Sequence, residues 1–281
     1  MTDVLSELDR VVELATLPAV ALEVNKMLAD DSISVQQMTQ VIEQDQAIVA
    51  KILKLVNSSF YGFRSQINNL SHAVVILGFK ALHSAVLSVA VNQTFPKDLK
   101  CESFDVVDFW FHSVAVALVA QKFAEQTKLC EPEEAFTAGL LHDIGKVILV
   151  QYFPKDFRLI WQEQQKSGCT SFEAEQRIIE TTHCQIATRV ARKWLLPKSL
   201  LDVLRCHHDV NKKQDNRDLT LMIHGADIVV NTWKKNLTEK PVLKSMDDDA
   251  KALLDGSLKT MRSWFPPVVE EIQKAHAFFI E

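Results

Sequence analysis

The sequence has little glycine, little net charge and no paired cysteine motif. Seven glycines in 281 residues fall well below the average usage of roughly 7%, which disfavours a turn-rich β fold and favours helices with short connections. The five cysteines are scattered and form no Cys-x-x-Cys motif, so they indicate no disulfide framework. A formal net charge of −5 argues against a protein that binds nucleic acid mainly through charge, and we expect no nucleic-acid partner.

Long apolar runs and an export signal are also missing. No uninterrupted apolar run approaches the roughly 20 residues of a membrane span, and the acidic start over residues 1–7 has no signal-peptide core. We therefore expect a cytoplasmic protein with no membrane partner. What the sequence does contain is 47% apolar and 24% charged residues, which is typical of a globular chain with a hydrophobic core.

Apolar residues recur at helical spacing along most of the chain, so we predict an all-α fold. Ser34 opens a candidate capping box, and Asp45 is a candidate N-cap of the next helix. Ser71 is predicted to cap a short helix that stops near Gly78, and a second helix follows over residues 81–91.

The second half of the chain is also predicted to be helical. One helix is expected over residues 131–152, and it runs without a break through His142 and Asp143. Residues 250–281 are expected to hold one or two helices that are broken at the Pro-Pro pair of positions 266–267.

The stretch 138–146 places His142, Asp143 and Lys146 within otherwise apolar sequence. Burying adjacent titratable groups costs several kcal/mol unless they are paired or bound to a metal. Imidazole and carboxylate ligands suit iron, manganese, zinc or nickel better than magnesium or calcium, so we predict a divalent transition metal site. The alternative is a set of ordinary core or surface residues that make hydrogen bonds. Further candidate ligands occur at intervals along the chain: His112, His183, His207, His208 and Asp227.

Several segments carry a resemblance to a known family. They are Leu17-Pro18, Asp45, LVNSSFYG over residues 55–62, SHAVVILG over residues 71–78, and the later His142-Asp143. In this order they are more specific than any one of them alone, and the chain resembles the HDOD domain over roughly residues 14–230. HDOD domains are bacterial output modules related to the HD phosphohydrolases.

The resemblance implies a multi-helix HDOD fold in which an N-terminal helical subdomain packs on an HD-type helical bundle. The implied parts are the N-terminal helical part of the HDOD domain over residues 1–96, an HD-like metal-binding subdomain over residues 104–235, and a C-terminal helical extension over residues 236–281.

The resemblance also assigns the candidate ligands to ions. In HD proteins the first His, the His-Asp pair and the last Asp hold one metal, and in binuclear relatives the Asp of the pair bridges to a second metal. The ligands implied here are His112, His142 and Asp227 for the first ion, Asp143 as the bridge, and His183, His207 and His208 for the second ion.

Asp108 is a further candidate ligand, because it lies four residues before His112 on the same helical face and some relatives place a glutamate there for a third metal. The resemblance thus implies one or two ions in the main site. Whether they are iron, manganese, zinc or nickel stays open at this point.

Two residues are candidates for a catalytic role, Asp143 and Lys146. Ions at Asp143 would supply a hydroxide for in-line attack on phosphorus, and the product would be a hydrolysed phosphoester. Lys146 has two interpretations, either a cation for a substrate phosphate, as in HD enzymes, or the partner in a salt bridge at a helix end. The His207-His208 pair is followed by DVNKK and lacks the Glu and Asp-Gly-x-Gly-Tyr-Pro signature of HD-GYP proteins, which argues against cyclic-di-GMP hydrolysis.

Two functions from different classes therefore remain open. The first is a metal-dependent phosphohydrolase that acts on a nucleotide or another phosphoester. The second is a non-catalytic signalling or scaffold module that binds a regulatory protein, since the N-terminal half contributes no obvious ligand. A DNA-binding helix-turn-helix is disfavoured because no clustered basic recognition helix is visible.

The remaining polar and aromatic features have simpler interpretations. The loop residues Phe60, Tyr61, Phe63 and Arg64 could form a partner surface or pack on the second subdomain. Adjacent helical residues point about 100° apart, so two cysteines beside candidate ligands are expected to be packing thiols. The residues expected to have no ligand role are His72, His83, His224, His276, Cys184 and Cys206.

Overall fold

All regular secondary structure in the described part of the chain is helical, apart from one isolated bridge between Cys101 and Phe104. The all-α prediction is therefore confirmed. The predicted aromatic loop that contains Phe60, Tyr61, Phe63 and Arg64 lies outside the described residues, as does most of the charged connection over 236–249. The computed structural model describes residues 4–11, 16–27, 33–57, 66–96, 99, 101, 104–235 and 245–280.

Five helices form the N-terminal part: α1 (Val4–Val11), α2 (Ala19–Met27), α3 (Val35–Ile42), α4 (Gln46–Val56) and α5 (Leu70–Thr94). Both predicted N-caps are confirmed. Ser34 and Gln37 form a capping box at the start of α3, and the Asp45 carboxylate accepts hydrogen bonds from the first backbone N–H groups of α4. Helices α2, α3 and α4 all pack on α5, and α5 in turn packs on the second half of the molecule.

Helix α5 differs from its prediction at two points. Its N-cap is Asn69 and not Ser71, since Oδ1 of Asn69 accepts a hydrogen bond from the backbone N–H of His72 at 2.8 Å. At Gly78 the backbone bends, with φ 82° and ψ 170°, but helical residues continue on both sides. A glycine adopts positive φ at no steric cost, so the predicted stop is a kink between two helical segments.

The second half of the chain is built around one long, buried helix, α6, which packs on α7, α13, α14 and α15. Its N-cap is Asp105, whose carboxylate accepts hydrogen bonds from the backbone N–H groups of Val107 and Asp108. The ten helices of this half are α6 (Val106–Thr127), α7 (Pro132–Leu141), α8 (Ile144–Tyr152), α9 (Pro154–Ser167), α10 (Ser171–Ile179), α11 (His183–Lys193), α12 (Lys198–Cys206), α13 (Arg217–Lys235), α14 (Asp248–Lys259) and α15 (Met261–Ile280).

The prediction of one helix over residues 131–152 is wrong at its centre. Helix α7 ends at Leu141 and α8 begins at Ile144, with Asp143 at φ −102° and ψ 7° between them. At this turn Nε2 of His142 lies 3.5 Å from Oδ2 of Asp143. Because both flanking segments are apolar, hydrophobic periodicity does not reveal this break.

The predicted break at the Pro-Pro pair is also wrong, since α15 continues through Pro266 and Pro267. Both prolines lie on the exposed face of the first turns, where water can bind the carbonyl groups that lose their N–H partners. The buried face holds the helix against the core. Its buried residues recur at helical spacing: Trp264, Val268, Ile272 and Ala275.

By length and composition alone, α5 and α6 could cross a membrane. Neither helix contains a long uninterrupted apolar run, because buried polar residues such as Ser88 and Ser113 interrupt both. In the structure 67% of the qualifying stretch of α5 and 61% of that of α6 are buried inside the protein. This burial is what the core helices of a globular protein show.

Candidate metal centre

Every predicted ligand of the main site converges on one region of the second half, although the first and last are more than a hundred positions apart. Short turns carry most of these side chains, which lets them face inward. His112 lies on α6, His142 and Asp143 in the turn between α7 and α8, His183 at the start of α11, His207 and His208 after the end of α12, and Asp227 on α13.

The first donor set consists of His112, His142, Asp227 and one oxygen of Asp143. Oδ1 of Asp227 lies 3.1 Å from Nε2 of His112 and 3.7 Å from Nε2 of His142. Oδ2 of Asp143 lies 3.8 Å and 3.5 Å from the same two nitrogens. Donors that share an ion at roughly 2.1 Å are separated by about 3 to 3.5 Å, so these atoms are spaced for one cation.

The second donor set uses the other oxygen of Asp143. Oδ1 lies 3.2 Å from Nε2 of His183 and 3.7 Å from Nε2 of His207, and these two nitrogens are 3.5 Å apart. The ring centroid of His208 is 4.3 Å from that of His207 and 5.0 Å from that of His183. Asp143 thus presents one oxygen to each set, which is the geometry of a bridging carboxylate.

Backbone carbonyls fix the orientation of two of the imidazoles. Nδ1 of His142 donates a hydrogen bond to the carbonyl of Gly139 at 2.7 Å, and Nδ1 of His207 donates to the carbonyl of Val203 at 2.9 Å. A carbonyl can only accept, so Nδ1 carries the proton and the lone pair of Nε2 faces the centre. Metal-ligating histidines are usually held by such contacts.

Glu175 holds a third imidazole, and it was not among the residues predicted from the sequence. Its side chain is fully buried, and Oε2 accepts hydrogen bonds from both the backbone N–H and Nδ1 of His183 at 2.7 Å each. Burial alone would raise the pKa of Glu175, but the positive charges of His183 and Lys146 lower it. The sequence signal that could have identified Glu175 is its position beside Ala174, as the acidic residue on the buried face of α10.

The centre contains two carboxyl groups with lowered pKa values and some buried atoms without hydrogen-bond partners. Burial opposes ionisation of Asp143, but Lys146 and the histidines hold the pKa of its carboxyl well below the usual range. His112 and His142 do the same for the pKa of Asp227. Nε2 of His142 and Oδ1 of Asp143 are buried without a hydrogen bond. An unmade buried hydrogen bond costs about 1–3 kcal/mol, which a cation at this point would offset.

Lys146 contacts the same carboxylate from outside. Its Nζ donates to Oδ2 of Asp143 at 2.5 Å, and the ammonium side chain keeps 23% of its surface exposed. Burial alone would lower the pKa of Lys146, but the charge of Asp143 raises it. The salt bridge is therefore present, and a role toward phosphate remains a prediction.

Gly145 allows α8 to pack close to α11. A Cβ atom at this position would overlap the backbone carbonyl of His183 and lie 2.7 Å from its carbonyl carbon. The first turn of α8 therefore carries Lys146 on one side and makes room for the ligand-bearing start of α11 on the other. Only a glycine permits this approach.

Cys184, predicted to be a packing thiol, is buried beside two of the candidate ligands. Its Sγ lies 3.5 Å from Nε2 of His183 and 3.9 Å from Nε2 of His207. Neighbouring Cβ atoms do diverge, but an imidazole reaches several bonds beyond its Cβ, so the tips of two adjacent side chains can meet. Within the described residues, a potential ligand cluster contains His183, Cys184, His207 and His208, with donor atoms within 4.8 Å of one another.

The other predicted side chains lie outside the potential ligand clusters found in the described residues. Asp108, the candidate ligand of a third metal, is exposed at the start of α6 and does not join the centre. His224 supports the site indirectly, because its Nδ1 donates to the carbonyl of His207 at 2.8 Å. Cys206 is buried, and His83 is hydrogen-bonded to Asn25 at 2.6 Å.

Comparison with known proteins identifies the fold. An HDOD domain protein of unknown function from Geobacter sulfurreducens has 23% identity and a TM-score of 0.73, over 95% of this chain and 98% of that one. A candidate phosphohydrolase from Shewanella amazonensis SB2B has 22% identity and a TM-score of 0.72, over 99% and 97%. A candidate signal transduction protein from Marinobacter aquaeolei VT8 has 20% identity and a TM-score of 0.77, over 98% and 61%.

Comparison with known sequences adds one distant relative and the family. An uncharacterised protein of Treponema pallidum (strain Nichols) is 23% identical over 203 residues, which is 72% of this chain. The chain spans only 39% of that relative's length. The profile of the HDOD domain matches residues 14–210. Because this match covers most of the chain, and because the predicted multi-helix fold is observed, the chain belongs to the HDOD domain family.

Proposed function

We propose that this protein is a signal-transduction protein of the HDOD family that retains a working metal centre and hydrolyses a phosphoester, either of a nucleotide or of a related compound. The observation that carries the proposal is the position of Asp143. Its two oxygens lie between two sets of imidazole and carboxylate donors, with the nearest nitrogen at 3.2 Å on one side and 3.5 Å on the other.

The residues present fit a divalent transition metal. Imidazole nitrogens outnumber carboxylate oxygens in the second donor set and equal them in the first, which favours iron, manganese, zinc or nickel over magnesium or calcium. The buried atoms without hydrogen bonds, Nε2 of His142 and Oδ1 of Asp143, face one set each. We propose one or two ions. His112, His142 and Asp227 would hold the first, His183, His207 and His208 the second, and Asp143 would bridge them.

Bound ions would supply Lewis acidity and a hydroxide for attack on phosphorus. The chain's own residues would hold and orient the reactants. Nζ of Lys146 has three donors, of which one is used by Asp143, so the others can bind a phosphoryl oxygen. Asp143 would hold Lys146 and the metal ligands in position. Asp143 and Lys146 are the proposed catalytic residues.

Differences in exposure give the substrate a direction of approach. The side chains of His112, Asp227 and Lys146 are 13%, 10% and 23% exposed, and His208 is half-buried, whereas those of His142, His183 and His207 are fully buried. Lys146 contacts Oδ2 of Asp143, the oxygen that faces the first donor set. We propose that the phosphate enters beside Lys146 and meets the first donor set.

A second candidate function is supported by the N-terminal part. On the described residues of α1 to α5 no potential ligand cluster occurs, while Val75 and Ile76 on α5 are 78% and 39% exposed. Apolar exposed side chains favour a contact with another protein. We propose that residues 1–96 bind a regulatory protein in the cytoplasm, that residues 104–235 carry the metal centre, and that residues 236–281 form a C-terminal extension. The two functions can coexist.

A turnover assay tests the first candidate. Wild-type protein loaded in turn with zinc, manganese or iron would be incubated with a panel of nucleoside phosphates and phosphodiesters, and released phosphate or nucleotide would be measured. We expect turnover that is lost in Asp143→Ala and kept in Asp255→Ala, an exposed acid on α14. If the metal-loaded wild type cleaves nothing in the panel, the scaffold function remains.

A further inference from the structure

We propose that Cys184 is a ligand of the second donor set, where its Sγ would join His183, His207 and His208 around one zinc-like divalent ion, beside Oδ1 of Asp143. This inference rests on the proposed metal centre. It gives the two halves of that centre different chemistry, because the second set then contains a thiolate and the first contains only nitrogen and oxygen.

Sγ of Cys184 and Oδ1 of Asp143 each lie at ligand spacing from the imidazole nitrogens of His183 and His207. With bonds of about 2.1 Å to nitrogen or oxygen and about 2.3 Å to sulfur, tetrahedral donors lie about 3.4 Å apart for nitrogen pairs and about 3.6 Å apart for nitrogen and sulfur. Sγ of Cys184 is 3.5 Å and 3.9 Å from the two imidazole nitrogens, which are themselves 3.5 Å apart. Oδ1 of Asp143 is 3.2 Å and 3.7 Å from the same nitrogens.

An independent observation points to a ligand in the same space. Oδ1 of Asp143 is directed at this group and has no hydrogen-bond partner, although the residue is only 3% exposed. A buried ionised oxygen without a donor is unfavourable unless a cation is bound there. The orphaned oxygen and the thiol converge on the same two imidazoles.

Cys206 shows what a packing thiol looks like in this protein. It is fully buried and immediately precedes the ligand candidate His207, as Cys184 immediately follows His183. Among the described residues, however, it belongs to no potential ligand cluster. Proximity in sequence to a ligand histidine therefore does not explain the position of Cys184, and Cys206 provides a matched control.

A thiolate ligand would give the two donor sets different roles. A thiolate added to the three histidines would give the second set at least four protein ligands and close it, as in structural zinc sites, whereas a catalytic site keeps an open position. The first donor set, beside Lys146 and the partly exposed His112, would then be the one that meets substrate. Thiolate also selects zinc, cobalt or iron over magnesium and manganese at the second position.

Cobalt titration of the metal-free 281-residue chain tests the inference. Cobalt bound to a thiolate gives a near-ultraviolet charge-transfer band that nitrogen and oxygen ligands do not give. Wild type, Cys184→Ser and Cys206→Ser would be titrated, and bound cobalt would be counted by elemental analysis. Circular dichroism would establish that each variant is folded.

We expect the charge-transfer band in wild type and in Cys206→Ser, and its loss in Cys184→Ser together with at least roughly tenfold weaker binding of one cobalt ion. Cobalt that binds to wild type without the band, or a band that persists in folded Cys184→Ser, would overturn the thiolate ligand and leave the metal centre standing. If wild type binds no cobalt, both the inference and the metal centre fail. If Cys184→Ser does not fold, Cys184→Ala takes its place, and the spectrum of wild type is also recorded after its exposed thiols have been alkylated. A band that is lost in Cys184→Ala but survives alkylation of wild type supports the thiolate ligand, and any other result overturns it.

Discussion

Glu175 and His183 form a fully buried pair in which Oε2 of the carboxylate lies 2.7 Å from Nδ1 of the imidazole. The same oxygen accepts the backbone N–H of His183, also at 2.7 Å. These two bonds fix the ring and turn its Nε2 toward Asp143. A carboxylate in this position also makes the imidazole a stronger electron donor, so Glu175 is a positioning residue for the second donor set.

Replacement of Glu175 by Gln should weaken metal binding at the second donor set by roughly 10- to 100-fold, because the amide can still accept a hydrogen bond but carries no charge. Competition of the protein with a coloured chelator would measure the affinity. Glu173→Gln is the control, since it removes the same charge from the same helix and a Gln can keep the capping box with Thr170. Equal affinities of the two variants would rule out this role for Glu175.

Gly145→Ala should separate α8 from α11, because the added Cβ overlaps the carbonyl of His183. We expect a loss of about 1–3 kcal/mol in the free energy of unfolding, as for other overpacked sites. Binding of one metal ion should weaken as well. Urea unfolding and metal titration would measure the two effects.

Gly256→Ala is the matched control for that substitution. Gly256 is exposed on α14, and a Cβ atom added there would meet nothing within 4 Å. Alanine should therefore stabilise the helix by up to about 1 kcal/mol. If Gly145→Ala proves as harmless as Gly256→Ala, the close approach of α8 and α11 is wrong.

His83 should make the protein less stable in acid. Burial lowers its pKa from 6.5 to about 4, so the unfolded chain binds a proton at a pH where the folded chain does not. The contribution of the neutral ring is complete above pH 6.5 and is lost as the pH falls toward 4, with a loss of about 2 kcal/mol at pH 5.

Urea unfolding of wild type and His83→Gln at neutral pH and at pH 5 measures this contribution. Gln can still donate to Oδ1 of Asn25, the partner of His83 at 2.6 Å. The variant should lose about 2 kcal/mol less than wild type on acidification, whereas His72→Gln, at an exposed position, should behave as wild type. Parallel pH dependence in wild type and His83→Gln would show that the ring is not held neutral.

Lys146→Ala should separate binding of metal from turnover. Its ammonium competes for Oδ2 of Asp143, so metal affinity should be equal to or greater than that of wild type. Turnover should fall by roughly 100- to 1,000-fold, because a charge that stabilises the transferred phosphoryl group is lost. Lys155→Ala, at an exposed position on α9, should keep the metal affinity and the turnover of wild type. A variant that loses metal instead would make Lys146 a structural support for Asp143.

The sequence was sufficient wherever a feature depends on neighbouring residues. The caps at Ser34 and Asp45 are local contacts of three residues or fewer, and both are observed. The ligand candidates could be named because their chemistry is unusual in apolar sequence and because the HDOD resemblance gave their order. Asn69 was missed as a cap since Ser71, two residues later, is an equally suitable residue.

The sequence was insufficient wherever a feature depends on packing between distant elements. The chain turns at His142 and Asp143 between α7 and α8, and the apolar pattern on both sides gives no sign of this turn. Glu175 and Cys184 gain their roles from the way in which α10, α11 and α12 meet. The Pro-Pro pair stays helical because the opposite face of α15 is buried on α6.

The metal content of the 281-residue protein, purified without chelator and measured by elemental analysis, tests the central claim most directly. We predict between one and two equivalents of iron, manganese, zinc or nickel per chain, and loss of that metal in folded Asp143→Ala. Less than about half an equivalent in wild type after incubation with these metals, or stoichiometric metal retained in Asp143→Ala, would contradict a centre organised around Asp143.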